Sequence, residues 1–119
     1  MKREKGNWVT FRERLGLSKD DELDLHLEQR DRDEVSYDEA MAEIDRMVEE
    51  HLRRQQEKGR PHAMIIHGRS TSRPGQSTAL SVVRRFMRSR EATPFIVKAH
   101  SIQHPTVFIA KIRSPAPTR

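Results

Sequence analysis

Two short stretches of this 119-residue chain carry the side chains best suited to chemistry. Asp24 and His26 sit in the alternating run Leu23-Asp24-Leu25-His26-Leu27, and His67-Gly68 closes the apolar run Ala63-Met64-Ile65-Ile66. Imidazole, with a reference pKa of about 6.5, takes or gives a proton at neutral pH. A carboxylate can orient it, and guanidinium can neutralise charge developing on phosphorus. Guanidinium is plentiful downstream. Arg69 and Arg73 flank Ser70 in the loop after Gly68, and Arg84, Arg85 and Arg88 follow within one predicted helix. Taken singly, Asp24 fits a turn cap as well as a catalyst, and each histidine fits a hydrogen-bonded structural role. Brought to one edge they outline a phosphate-handling site. Asp24, His26 and His67 are then the candidate catalytic groups, and Gly68, Arg69, Ser70, Arg73, Arg84, Arg85 and Arg88 the candidate nucleic-acid contacts.

The elements that must bring them together follow from local pattern. The period-two alternation at 23–27 predicts a short strand, and 28–35, polar until its last residue, predicts an exposed loop. Ser36-Tyr37-Asp38-Glu39 has the spacing of a capping box, in which the Ser36 and Glu39 side chains satisfy free N–H groups at a helix start. Tyr37, Ala40, Met41, Ile44, Met47, Val48, His51 and Leu52 then recur at helical spacing, until Gly59 and Pro61 end the run. Ala63 to Ile66 is too short for a helix and predicts a buried strand. A second helix is expected from Ser77 as N-cap to about Ser89, burying Leu80, Val83, Phe86 and Met87, with Pro94 barring its extension. Phe95 to Ala99 and Thr106 to Ile112, separated by Ser101 to Pro105, predict a terminal hairpin. The order predicts an α/β fold: a two-layer βαβαββ sandwich, with a mixed four-stranded sheet and two helices packed on one face. Residues 22–113 form the expected domain, between a charged arm at 1–21 and a tail at 114–119. A short helix around Thr10 to Leu15 is expected in the arm, packing through Trp8 and Phe11.

Charge divides the chain. Residues 1–58 carry 17 acidic and 12 basic side chains, and residues 59–119 carry one acidic and 11 basic, within a net charge of +5. No carboxylate lies between Glu57 and Glu91. Such clustering is the electrostatic footprint expected on a phosphate backbone, although a solvated basic face paired with the acidic half has the same composition. Aromatic residues make up only 5% and do not interleave the arginines, which argues against base-stacking platforms. With no cysteine, disulfides and thiolate chemistry are excluded. Gly68-Arg69-Ser70 lacks the Lys-Ser/Thr of a phosphate-cradling nucleotide loop. One aspartate and two histidines could hold a divalent cation such as Mg2+, yet no helix-borne histidine pair or acidic cluster joins them, so the cofactor stays open. His51 on the helix stripe is expected to be structural, and His62, His100 and His104 solvated. No run is apolar enough to span a membrane, and a cytoplasmic protein is expected.

Leu23-Asp24-Leu25-His26, the capped helix, Ile65-Ile66-His67-Gly68 and the closing hairpin together resemble the small MutS-related (Smr) domain over residues 22–113. That family carries a Leu-Asp-x-His motif usually followed by glycine, and a hydrophobic strand ending in His-Gly-x-Gly. The resemblance implies a two-layer α/β sandwich similar to the C-terminal domain of translation initiation factor 3. It also implies binding of RNA or DNA, with endonuclease activity or ribosome-associated roles. Asp24, His26, His67 and Gly68 are the motif positions. Leu27 and Ser70 stand where the family usually has glycine, and the loop 28–35 is longer than typical. A serine hydroxyl still reaches a phosphate oxygen, but the backbone approaches one less closely than glycine allows. Binding therefore tolerates these departures better than catalysis does, and an RNA- or ribosome-binding adaptor without cleavage is the alternative.

Overall fold

The computed structural model describes residues 1–3, 6, 7, 9–25, 37–68 and 79–114. Its strands are β1 (Lys2–Arg3), β2 (Glu22–Asp24), β3 (His62–Ile66), β4 (Ile102–Gln103) and β5 (Val107–Lys111). Its α-helices are α1 (Val9–Leu15), α2 (Tyr37–Glu57) and α3 (Ala79–Arg88). The mixed sheet has the order β1-β4-β5-β3-β2, with β2 parallel to β3 and β5 antiparallel to both β3 and β4. Three of the four expected strands are present, as β2, β3 and β5. A further strand, β1, adds parallel to β4 at the edge.

The binary pattern decides which face each helix covers. Ile44, Val48 and Leu52 from α2 and Val82, Val83, Phe86 and Met87 from α3 bury against Ala63, Ile65, Phe108 and Ala110 on one face of the sheet. Strand side chains alternate, so Met64, Val107 and Ile109 emerge on the other face, where Phe11 and Leu17 cover them. Both faces of β3 are thereby dry, which is why its sequence is continuously apolar rather than alternating. The first twenty residues thus supply a strand and a helix to the same sheet. Burying the Phe11 ring alone contributes roughly 2 kcal/mol.

Helix α2 stops as its glycine predicts. Gly59 adopts φ +69, and the Arg60 N–H reaches back to the Gln55 carbonyl at 3.0 Å, closing the last turn. Its proposed N-cap, Ser36, lies outside the described residues, as do Ser77, the proposed cap of α3, and Trp8.

One expected strand is not formed as predicted. Phe95 to Ala99 makes only an isolated bridge, Ile96 to Ile112, and Lys98–His100 is a 3-10 turn. The strand beside β5 is instead Ile102–Gln103, within the segment predicted as a turn. Phe95 and Ile96 satisfy their apolar character by entering the core, without a ladder of backbone bonds. The Ser101 hydroxyl bridges the interruption, accepting from the Lys111 N–H at 3.1 Å and donating to the Val97 carbonyl at 3.0 Å. Among the described residues no helix is long and apolar enough to cross a membrane.

Candidate nucleic-acid interface

The strand register settles where the two motif segments meet. Asp24 lies opposite Ile66, so His67 and Gly68 leave β3 one step beyond the level at which Asp24 ends β2. Neighbouring strands are about 4.8 Å apart, so the two ends are adjacent. Their side chains, however, depart from different faces. Glu22 accepts from Arg12 Nε of α1 at 2.6 Å, and alternation puts Asp24 on that same face. Ala63 and Ile65 face α2 and α3, and His67 continues their side, near Arg84 of α3.

His67 is held through its backbone N–H and one ring nitrogen. Its N–H and that of Gly68 both donate to the Thr106 carbonyl, at 3.1 and 3.0 Å. The ring donates from Nδ1 to the Gly68 carbonyl at 2.6 Å, which leaves Nε2 as the unprotonated nitrogen. That Nε2 is buried and has no hydrogen-bond partner among the described residues. Burial pushes the ring's pKa down to about 4, against the opposing pull of the Gly68 carbonyl and with the Arg84 charge adding to the decrease. At neutral pH the ring is uncharged, so it can accept a hydrogen bond at Nε2 but is not a source of protons. Gly68 takes φ +77, a left-handed conformation that costs a residue with Cβ about 1 kcal/mol, and this turn aims both N–H groups at Thr106.

The α3 arginines do not share one face. Arg84 and Arg88, one turn apart, lie toward the β1–β4 edge, where Arg3 and Arg88 line a common cleft. Arg85 is turned instead toward α2, where it lines a groove with Asp45 and Glu91. There burial raises the Asp45 pKa and the Arg85 charge opposes the rise. Arg84 is half-buried, with one Nη donating to the His104 carbonyl at 3.4 Å and its Nε buried without a partner among the described residues. Burial, then the charges of Arg3 and Arg88, lower its pKa. Arg88 is exposed. The remaining sequence-predicted contacts, Arg69, Ser70 and Arg73, lie outside the described residues, as does His26.

Three residues at this edge were not legible as such. Arg3 and Gln103 join it because β1 pairs with β4, Arg3 opposite Gln103, a register that no local pattern signals. His104, expected to be solvated, is buried: Nε2 donates to the Gly6 carbonyl at 2.6 Å, and Nδ1 accepts from the Thr106 N–H at 3.0 Å. The Phe11 ring meets it edge-on at 5.6 Å. His62, also expected to be solvated, is half-buried as the first residue of β3. His100 is exposed, and His51 is structural, with Nε2 donating to the Asp21 carbonyl at 3.0 Å. Among the described residues no three of His, Cys, Asp and Glu gather to hold a metal ion.

Fold and site together define an α/β sandwich in which Arg84 of α3 lies near His67 at the end of β3 and Arg88 lines the cleft at the β1–β4 edge. No family model, curated protein or solved structure matches the chain.

Proposed function

We propose that the protein binds nucleic acid, RNA or DNA, by its phosphate backbone, as an Smr-like domain, on the side where Arg84 and Arg88 of α3 lie toward the β1–β4 edge. The observation that carries this is the set Arg3, Arg84 and Arg88. Among the described residues no carboxylate pairs with any of them, although the chain holds 18 acidic side chains. Like charges gathered without counterions destabilise the free protein, and a polyanion relieves them. The reading assigns the protein to the cytoplasm, with structured RNA, including that of the ribosome, as the expected class of partner.

Binding of a labelled single-stranded RNA and of duplex DNA, measured across salt concentrations, tests it. Arg88→Glu is expected to weaken affinity about tenfold and to flatten the salt dependence by about one counterion. Arg85→Glu, facing Asp45, is expected to change affinity much less. Arg84 is half-buried, so its charge reversal would also perturb folding and is the poorer probe. Wild-type affinity in Arg88→Glu would discard the basic-face reading.

Phosphodiester cleavage is the second reading, favoured by the register that brings Asp24 level with the end of β3. In it Asp24 orients a water, a metal ion or the imidazole of His26, and His67 Nε2 accepts a proton. The burial of that nitrogen favours instead the adaptor that binds without cutting. Incubation with single-stranded RNA and supercoiled DNA, with and without EDTA, separates the two. Cleavage lost in both Asp24→Asn and His67→Gln supports catalysis, and products formed equally by wild type and variants identify a contaminant.

A further inference from the structure

Beside α3, at the edge formed by β1 and β4, lies a cleft of about 340 Å³ lined by Met1, Arg3, Arg88, Lys98 and Gln103. We propose that it holds the terminal phosphate of a nucleic-acid strand, with Arg3, Arg88 and the Gln103 amide as donors and Arg84 supplying charge from behind. The assignment rests on the nucleic-acid reading above and makes it specific to strand ends.

Three features of the cleft support it. Gln103 is only 3% exposed, yet its Nε2 donates to the Met1 thioether sulfur at 3.2 Å. Sulfur is a weak acceptor for a buried amide, and a phosphate oxygen in its place would make a much stronger bond. The cationic groups also have different duties. Lys98 Nζ is committed to the carbonyls of Arg88 and Ser89, at 3.0 and 2.8 Å, where it neutralises the C-terminal end of α3. Arg3 and Arg88 have no acidic partner among the described residues and remain available to a ligand. Finally, the charge suits a dianion. A phosphodiester carries one negative charge, whereas a terminal phosphate carries about −1.5 to −2, the better match for three guanidinium groups. The position fits as well, since the cleft lies at the β1–β4 edge of the sheet and includes Arg88 in the last turn of α3.

The same dianionic chemistry occurs in free inorganic phosphate, so the test includes both sources. Full-length protein is titrated with four probes: one oligonucleotide bearing a 5′-phosphate, a 3′-phosphate or hydroxyls at both ends, and inorganic phosphate. One phosphorylated form is expected to bind roughly fivefold or more tightly than the hydroxyl form. That preference should vanish in Gln103→Leu, while its affinity for the hydroxyl form stays within about twofold of wild type; in Arg3→Gln the preference should vanish as well, together with part of the affinity for both forms. Arg3 is exposed on a two-residue edge strand, so its variant leaves the core intact. Inorganic phosphate should shift the Gln103 side-chain amide resonances in wild type and not in Arg3→Gln. Equal binding of phosphorylated and hydroxyl ends would overturn the proposal while leaving backbone binding in place. A preference untouched by Arg3→Gln would overturn it too. Should no oligonucleotide bind, the nucleic-acid reading fails, and a phosphate-induced shift at Gln103 would still support an anion site in the cleft; absence of that shift removes the site as well.

Discussion

Asp21→Ala is expected to destabilise the protein by about 3 kcal/mol, because it removes the acceptor at the centre of a buried polar network. The carboxylate is only 1% exposed and is surrounded by donors. Arg60 grips it in a fork, Nε to Oδ1 and Nη to Oδ2, each at 2.8 Å. The Ser18 N–H donates to Oδ2 at 2.8 Å, and Gln55 Nε2 to Oδ1 at 2.7 Å. Burial alone would raise the carboxyl pKa, but the Arg60, Ser18 and Gln55 hydrogen bonds together hold it well below the usual carboxylate range. Removing the acceptor leaves one N–H of the buried Gln55 amide and the Ser18 N–H without their partner, which is where most of the loss arises. Arg60 itself is 40% exposed and rehydrates, which keeps the effect from growing larger. The network has positional consequences. Asp21 immediately precedes β2, while Gln55 belongs to α2 and also donates to the His62 carbonyl at the start of β3. Loss of the carboxylate therefore loosens the anchor that sets Asp24 level with Ile66. Urea unfolding of wild type and variant measures the change, and a difference below about 1 kcal/mol would contradict this account.

Acidification should destabilise the fold through His67, by about 3 kcal/mol between neutral pH and pH 4. Unfolded, the imidazole titrates near 6.5; folded, it titrates at about 4. Between those values the unfolded chain binds the extra proton, so stability rises with pH across this window. The contribution is complete above about 6.5 and is lost as pH falls toward 4. Burial also lowers the pKa of His51 and His62, and their effects act in the same direction. In His67→Gln, the loss of stability between pH 7.5 and 4.5 should be smaller than in wild type by roughly 2 to 3 kcal/mol. Identical losses in the two proteins would show that the imidazole is not held neutral. The same property bears on chemistry: a cleavage reaction using His67 as proton acceptor would show no histidine-like inflection near pH 6.5.

Local pattern was sufficient for several elements because their causes are local. The stripe through Ile44, Val48 and Leu52 requires a helix, Gly59 supplies the left-handed turn that ends it, and the apolar run before His67 requires a buried strand. The juxtaposition of Asp24 with the end of β3 followed from the parallel strand-helix-strand connection. Other features had competing local readings. Phe95 to Ala99 has the composition of a strand, but Phe95 and Ile96 are buried in the core with only an isolated bridge, Ile96 to Ile112, and no ladder. The arginines of α3 looked like one basic face, whereas neighbouring positions on a helix point about 100° apart, and Arg85 lines the groove that holds Asp45 of α2.

Sequence alone thus determined the βαβαββ order, the two helices on one face and the neighbouring ends of β2 and β3, because periodicity and strand direction are properties of short segments. Tertiary structure alone decided which of those residues are accessible and which charges are paired. Burial of His67 and His104, the Asp21–Arg60 fork and the cleft joining Arg3 to Arg88 all depend on segments distant in the chain. Solvation and Coulomb energies follow distance through space, which no local spacing encodes.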